Sequence, residues 1–296
     1  MLEFISVENI KLTPQIFLKP EYAIHPTVSG NKLRKLKYNL DEFKKENYQG
    51  ILTFGGAFSN HIAATAAAGY RLGIPTIGVI RGMEVSAKIE SNPTLSYAQK
   101  CGMKLKFISR AEYKLKAKKS YLASLENKYP KYYMIPEGGT NHLAVKGCEE
   151  ILTDEDRQFD VICCAVGTGG TLSGIINSSL PHQKIIGFPA LKGAFLKQDI
   201  CKFAKQSNWE LCQDYHFGGY AKVHVELIEF INRFKREFNI PLDPVYTGKM
   251  LFGIFDRMNK GMFSKSQKVL AIHTGGLQGI HGMNQKLRKN NLDLMV

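Results

Sequence analysis

Apolar positions along the 296-residue chain follow two rhythms. Short continuous apolar runs end in glycine or polar residues, and between them lie longer stretches where apolar residues return at helical spacing. The runs predict strands at Gln15 to Lys19, Gly50 to Phe54, Thr76 to Ile80, Lys104 to Ile108 and Tyr132 to Ile135. They continue at Val161 to Val166, Lys184 to Phe188, Trp209 to Asp214 and Val269 to Ile272. The periodic stretches predict helices at Lys32 to Lys45, Asn60 to Leu72, Pro93 to Cys101, Ala111 to Asn127, Asn141 to Leu152 and Thr171 to Ser179. In the first of these, Leu33, Leu36, Leu40 and Phe43 share one side. Strand–helix alternation implies parallel sheets covered by helices on both faces. The units are too many for one sheet, which predicts two α/β domains. No Pro/Ser-rich linker separates them, so one is expected to be inserted within the other.

Composition changes this picture little. With 44% hydrophobic and 22% charged residues the chain reads as a soluble globular protein. No apolar run approaches the roughly 20 residues needed to cross a bilayer. The segment Met1 to Ser6 carries an acid early and lacks a basic-then-apolar pattern, so the expectation is a cytoplasmic protein without a membrane partner. Six cysteines occur without a C-x-x-C pair, which predicts neither a metal site nor a disulfide framework. The net charge of +14 raises nucleic acid as a partner. The basic residues are dispersed, however, and Lys114, Lys116, Lys118 and Lys119 wrap around a helix instead of forming a stripe. No nucleic-acid partner is expected, and the charge would favour an anionic ligand.

Candidate chemistry sits in glycine-bearing turns after the strands, where open α/β sheets bind ligands. The strongest is Gly167-Thr168-Gly169-Gly170-Thr171, which follows an apolar run and precedes a helix. Converging backbone N–H groups, two threonine hydroxyls and a helix N-terminus suit a phosphate. The turn at Gly55 to His61 offers Ser59 as a helix cap, free N–H groups for a carboxylate, and the Asn60 amide. Asp243-Pro244-Val245-Tyr246-Thr247-Gly248-Lys249 places a phenol and a hydroxyl at a helix start, and His273-Thr274-Gly275-Gly276 closes the last strand. His273 reads as structural. Lys32 follows a Ser29-Gly30 turn at the start of a helix, whereas Arg34 and Lys35 read as ordinary helix charges.

Together these motifs, in one order, resemble the D-cysteine desulfhydrase and 1-aminocyclopropane-1-carboxylate deaminase family. They are Gly-Asn-Lys-x-Arg-Lys-Leu at Lys32, Gly-Gly-x-x-Ser-Asn-His, Gly-Thr-Gly-Gly-Thr, Asp-Pro-Val-Tyr-Thr-Gly-Lys and His-Thr-Gly-Gly. The resemblance runs from about Ile16 to Gly279. It implies pyridoxal 5'-phosphate as cofactor and the tryptophan synthase β-like fold (fold type II): two three-layer α/β domains with mainly parallel sheets. The large domain would comprise residues 1–35 and 148–296 and the inserted small domain residues 36–147, commonly in a homodimer. Residue by residue, it makes Lys32 the Schiff-base lysine and the base that removes the α-proton. Asn60 would bond the ring hydroxyl, and Gly167, Thr168, Gly169, Gly170 and Thr171 the phosphate. Ser59, Asn60 and His61 would receive the substrate carboxylate, with Tyr220 and Tyr246 facing a small amino-acid substrate and Ser59 and Tyr246 joining Lys32 in catalysis.

Thr247 and Thr274 separate the branches. Deaminases resemble Asp-Pro-x-Tyr-Glu-Gly-Lys and His-Leu-Gly-Gly at these places. A carboxylate near the ring nitrogen would keep it protonated and the ring a strong electron sink, whereas a threonine would meet a neutral nitrogen. The expectation is therefore β-elimination of the D-cysteine desulfhydrase kind. Alternatives are a deaminase, a β-eliminase for another D-amino acid, or a cofactor-binding protein without catalysis. Departures from the family pattern at Pro20 to Tyr22 and at Ala221 bear on substrate identity.

Overall fold

The computed structural model describes residues 2–28, 30–193 and 195–296. Ser29, half of the expected Ser29-Gly30 turn, lies outside the described residues. The chain opens with β1 (Ile10–Lys11), β2 (Ile16–Lys19) and α1 (Asn31–Lys45). Next come β3 (Gly50–Gly55), α2 (Asn60–Leu72), β4 (Thr76–Arg81), α3 (Pro93–Lys100) and β5 (Lys104–Ile108). Two short helices, α4 (Arg110–Tyr113) and α5 (Lys119–Lys128), precede β6 (Tyr132–Ile135) and α6 (His142–Cys148). The rest alternates through β7 (Val161–Val166), α7 (Gly170–Ser178), β8 (Lys184–Pro189), α8 (Phe195–Cys201) and β9 (Trp209–Leu211). Finally come α9 (Val225–Phe238), α10 (Thr247–Asn259), β10 (Val269–Ile272) and α11 (Gln278–Lys289).

The strands form two sheets. One has the order β1-β2-β10-β7-β8-β9 and is parallel except for β1; the other, β5-β4-β3-β6, is parallel throughout. β7 shows why its run is apolar without interruption. Val161, Cys163 and Ala165 pack into the core shared with α9 and α10, while Ile162, Cys164 and Val166 face the core shared with α7 and α8. Successive side chains point to opposite faces, and helices cover both. The alanines of α2 serve close packing, since Ala63, Ala64, Ala66, Ala67 and Ala68 are all buried.

Three expectations differ from the structure. The single helix expected over Ala111 to Asn127 is broken into α4 and α5. Tyr113 is buried there with its hydroxyl on Glu137, and Lys116 pairs with the same carboxylate. The helix expected to Leu152 ends at Cys148, and the strand expected to Asp214 ends at Leu211. α8, α9 and α11 had no counterpart in the sequence reading.

α1 runs unbroken through residue 35, and α6 through residue 147. We propose that the chain crosses between domains before α1 and after α6, because an unbroken helix is a poor place for a boundary.

Candidate active site

Both sheets reverse their strand order at one point, and the glycine turns lie there. In the smaller sheet β4 and β5 extend to one side of β3 while β6 lies on the other; in the larger, β8 and β9 extend away from β7 while β10 lies opposite. Crevices at such switch points are the binding places of open α/β sheets. The turns after β3, β6, β7 and β10 flank them.

α1 carries Lys32 into this region. Gly30 caps it with φ 61°, and a Cβ built there would lie 2.0 Å from the Thr274 carbonyl oxygen. Only glycine permits that approach. Asn31 N–H donates to the same carbonyl at 3.2 Å, and Asn31 Nδ2 donates to Thr171 Oγ1 at 2.8 Å. The helix start is thus tied to the ends of β10 and β7.

Lys32 Nζ donates to the Gly138 carbonyl at 3.3 Å. Burial, and then repulsion from Lys35, hold its pKa well below that of an ordinary lysine. Lys35 is itself buried; its Nζ donates to Gly138 O at 3.1 Å and to Thr140 Oγ1 at 2.9 Å. The reading of Lys35 as an ordinary helix charge is thereby corrected. The same holds for Arg34, which forms a two-pronged pair with Glu21 at 3.0 and 2.9 Å, Glu21 being fully buried.

The loop after β7 faces Lys35. A Cβ on Gly170 would come 3.3 Å from Lys35 Nζ and 2.8 Å from Thr140 Cγ2, and Thr140 and Thr168 hydroxyls are 2.6 Å apart. Gly169 has φ 83° and caps α7, so the amides of Gly169, Gly170 and Thr171 turn outward at a helix N-terminus. Tyr246 lies against this loop, its Cε1 3.1 Å from the Cβ position of Gly167. Its phenol is held protonated, the pKa raised well above the usual value, chiefly by burial.

Ser59 caps α2, accepting from Ile62 N–H at 3.3 Å. Asn60 Nδ2 lies 3.1 Å from the Cβ position of Gly276, and Asn60 Oδ1 is buried without a partner among the described residues. His61 turns inward: Nε2 meets Thr53 Oγ1 at 2.8 Å, and Nδ1, facing Gly139, is buried without a partner among the described residues. Burial, followed by the charges of Lys32 and Lys35, pushes its pKa well down, so the ring is neutral. Its side chain therefore has only Nδ1 to offer a ligand.

Thr247 and Asp243 are both buried. Thr247 Oγ1 donates to Asp243 Oδ2 at 2.6 Å, and that oxygen also accepts Thr247 N–H at 2.8 Å. Asp243 Oδ1 accepts the N–H groups of Val245 and Tyr246 at 2.8 and 2.7 Å. The Thr247 hydroxyl proton is thus already placed, which revises the picture of a free hydroxyl; what remains is a lone pair. Thr274 makes no side-chain hydrogen bond among the described residues. His273 is buried and bonded to Pro241 O at 2.8 Å, its pKa pushed down to about 4 by burial, in keeping with a structural role. Tyr220 stands edge-on to Tyr246, ring centroids 6.2 Å apart.

Lys35, Thr140 and Asp243 are the site residues that sequence reasoning passed over. Lys35 had a readable signal, one turn after Lys32 on the same helix face. Among the described residues, no group of three or more His, Cys, Asp or Glu could hold a metal ion, and no helix is long and apolar enough to cross a membrane.

A family model described as pyridoxal-phosphate dependent enzyme matches residues 3–275. A Thermotoga maritima protein provisionally named 1-aminocyclopropane-1-carboxylate deaminase is 31% identical, over 97% of this chain and 96% of its own length. The mitochondrial bifunctional D-cysteine desulfhydrase/1-aminocyclopropane-1-carboxylate deaminase of Arabidopsis thaliana is 29% identical, over 90% of this chain and 73% of its own. Among solved structures, a homologue of 1-aminocyclopropane-1-carboxylate deaminase is similar with TM-score 0.81 and 28% identity, covering 93% of this chain and 88% of that one.

Proposed function

As the chain belongs to the pyridoxal-phosphate-dependent enzymes, in the branch of the 1-aminocyclopropane-1-carboxylate deaminases and D-cysteine desulfhydrases, we propose that it catalyses β-elimination from a small amino acid, with D-cysteine as substrate. The balanced reaction converts D-cysteine and water into pyruvate, ammonia and hydrogen sulfide.

Features of the cleft support the fit of the cofactor. A cradle of glycine backbone, the α7 N-terminus, Lys35, Thr140 and Thr168 suits a dianionic phosphate. The orphaned Asn60 Oδ1, with Nδ2 beside it, suits a ring hydroxyl. Lys32 is the residue that would carry the aldehyde. When bound, pyridoxal phosphate supplies an electron sink that makes the substrate's α-proton acidic.

The chain's own residues do the rest. Burial and Lys35 lower the Lys32 pKa, which favours the neutral amine able to take the α-proton as a base. The N-terminus of α2, with Ser59, orients the substrate carboxylate. Tyr246, kept protonated, presents an O–H to the substrate beside Gly167.

One observation carries the choice of elimination over ring opening: among the described residues, no free carboxylate reaches the cleft next to Thr247 and Thr274. Asp243 is saturated by its own helix start, and Glu137 is engaged by Tyr113 and Lys116. Hydroxyls at this place make a weaker electron sink, sufficient to expel hydrosulfide but poorly suited to opening a cyclopropane. The test is an assay of holoenzyme with D-cysteine, L-cysteine and 1-aminocyclopropane-1-carboxylate. Pyruvate and sulfide should form from D-cysteine; 2-oxobutanoate from the cyclopropane as the main product would overturn the proposal. We also propose a homodimer, which sedimentation equilibrium would test.

A further inference from the structure

Lys249 is a buried cation that the proposed chemistry does not use. It lies on α10, its side chain is 2% exposed, and no carboxylate pairs with it among the described residues. Its Nζ instead donates to two backbone carbonyls, His216 O and Gly219 O, each at 2.8 Å. Burial pushes its pKa down to about 8, so the ammonium is still charged at neutral pH. Burying an ammonium against carbonyls alone is costly, and an apolar residue of similar volume would fill the space with less penalty.

The two carbonyls belong to a turn that its own hydrogen bonds close, Gly219 N–H to His216 O at 3.0 Å and Lys222 N–H to Gly219 O at 3.2 Å, but whose backbone is strained. Phe217, Gly218, Gly219 and Ala221 all have positive φ, at 52°, 84°, 117° and 53°. For Phe217 and Ala221 that conformation is strained, and such strain persists only where surroundings impose it. α10 supplies the restraint from one face: Lys249 grips the carbonyls, while Phe252, one turn on, packs on Phe217 with centroids 5.0 Å apart. Lys286 on α11 adds a longer bond to Ala221 O at 3.3 Å. The outcome is the placement of Tyr220, edge-on to Tyr246, which itself rests on Gly167 of the phosphate-type loop.

We propose that Lys249 is a positioning residue: its ammonium clamps the strained turn 216–221 so that Tyr220 is fixed beside Tyr246 at the substrate's side of the cleft. This rests on the reading that Tyr220 faces the substrate. Tyr220 then contributes binding that is already organised before substrate arrives.

The experiment compares wild type, Lys249→Met, Tyr220→Ala and the double variant, each as holoenzyme, by kcat and KM for D-cysteine. Hydrogen exchange of residues 216–222 is measured on the same proteins without substrate. Loss of an organised contact raises KM about tenfold with kcat little changed. If the clamp acts through Tyr220, the double variant is no worse than either single one. Exchange in 216–222 should quicken in Lys249→Met by about tenfold or more, while that of α10 stays as in wild type. KM losses that multiply in the double variant, or unchanged exchange in the turn, overturn the proposal. Should D-cysteine not be turned over at all, the function reading fails and the exchange comparison still decides whether the clamp exists. Lys249→Gln, which keeps one donor pair, serves if the methionine variant does not fold. If neither folds, wild-type exchange in 216–221 as fast as in an open surface loop refutes the clamp, and protection comparable to α10 supports it.

Discussion

Lys32 Nζ and Lys35 Nζ converge on one oxygen, the Gly138 carbonyl, at 3.3 and 3.1 Å. Two amines this close in a buried place cannot both hold their protons at ordinary lysine pKa values. The pKa values of both are pushed down by burial, and Lys35 lowers that of Lys32 further. Lys35, bonded to Thr140 and facing Gly170, is therefore suited to an anion, and Lys32 to the role of neutral base.

Lys35→Met removes both effects. Phosphate affinity should fall by about 10- to 100-fold, the worth of one hydrogen bond to a charged group at ~1.5–3 kcal/mol. Absorbance titration of apoprotein with pyridoxal phosphate measures it. With the neighbouring charge gone, the pKa of Lys32 should rise, moving the acidic limb of the kcat/KM profile towards alkaline pH.

Gly30→Ala should break the docking of α1 on β10. The added Cβ would overlap the Thr274 carbonyl, and φ 61° is unfavourable for alanine. The backbone strain alone is on the order of 1–3 kcal/mol, before the overlap is relieved. Urea unfolding should show a loss larger than that, together with weaker cofactor retention.

Thr247→Val leaves the Asp243 carboxylate with one donor fewer. The expected cost at neutral pH is about 1–3 kcal/mol, that of a buried charge-assisted bond. The folded-state pKa of Asp243 is raised, mainly by burial. Below that value the native carboxyl is protonated in both proteins, and only a neutral hydrogen bond is missing. The stability difference between variant and wild type should therefore shrink as pH falls through the Asp243 pKa, as followed by urea unfolding across the acid range.

Glu21→Ala should expose the importance of the Arg34 pair. It strands a guanidinium that is 13% exposed and leaves it Glu150 at 3.8 Å and the Phe4 ring at 4.8 Å. Removing one partner of a buried pair costs about 3–5 kcal/mol, and the remaining contact with Glu150 places the expected loss at the lower end. Thermal unfolding with and without cofactor checks it.

Much of this was readable beforehand. β3, β6 and β7 are apolar runs that stop at glycine or proline, and β10 stops at His273-Thr274 ahead of Gly275, so both the strands and the turns beyond them could be placed from the sequence. That these four strands flank the two switch points could not, because strand order is set by crossovers and not by local pattern. Lys35, Glu21 and Asp243 look like surface charges in the sequence; Lys35 becomes interior through Gly138 and Thr140, brought from far along the chain, whereas Glu21 and Asp243 are buried on nearby partners, Arg34 and residues 245–247. The Thr247 hydroxyl shows a subtler limit. Its identity is in the sequence, but the direction of its proton depends on Asp243 one turn earlier. The break between α4 and α5 has the same origin, since every residue there favours helix and the burial of Tyr113 against Glu137 overrides it.

The central claim is that Lys32 carries pyridoxal phosphate. The most direct measurement is the visible absorption spectrum of wild type and Lys32→Ala after addition of the cofactor and removal of excess. Wild type should retain the absorbance band of the lysine-bound cofactor, and Lys32→Ala should show none. A retained band in Lys32→Ala, or no band in the wild-type protein, would contradict the account.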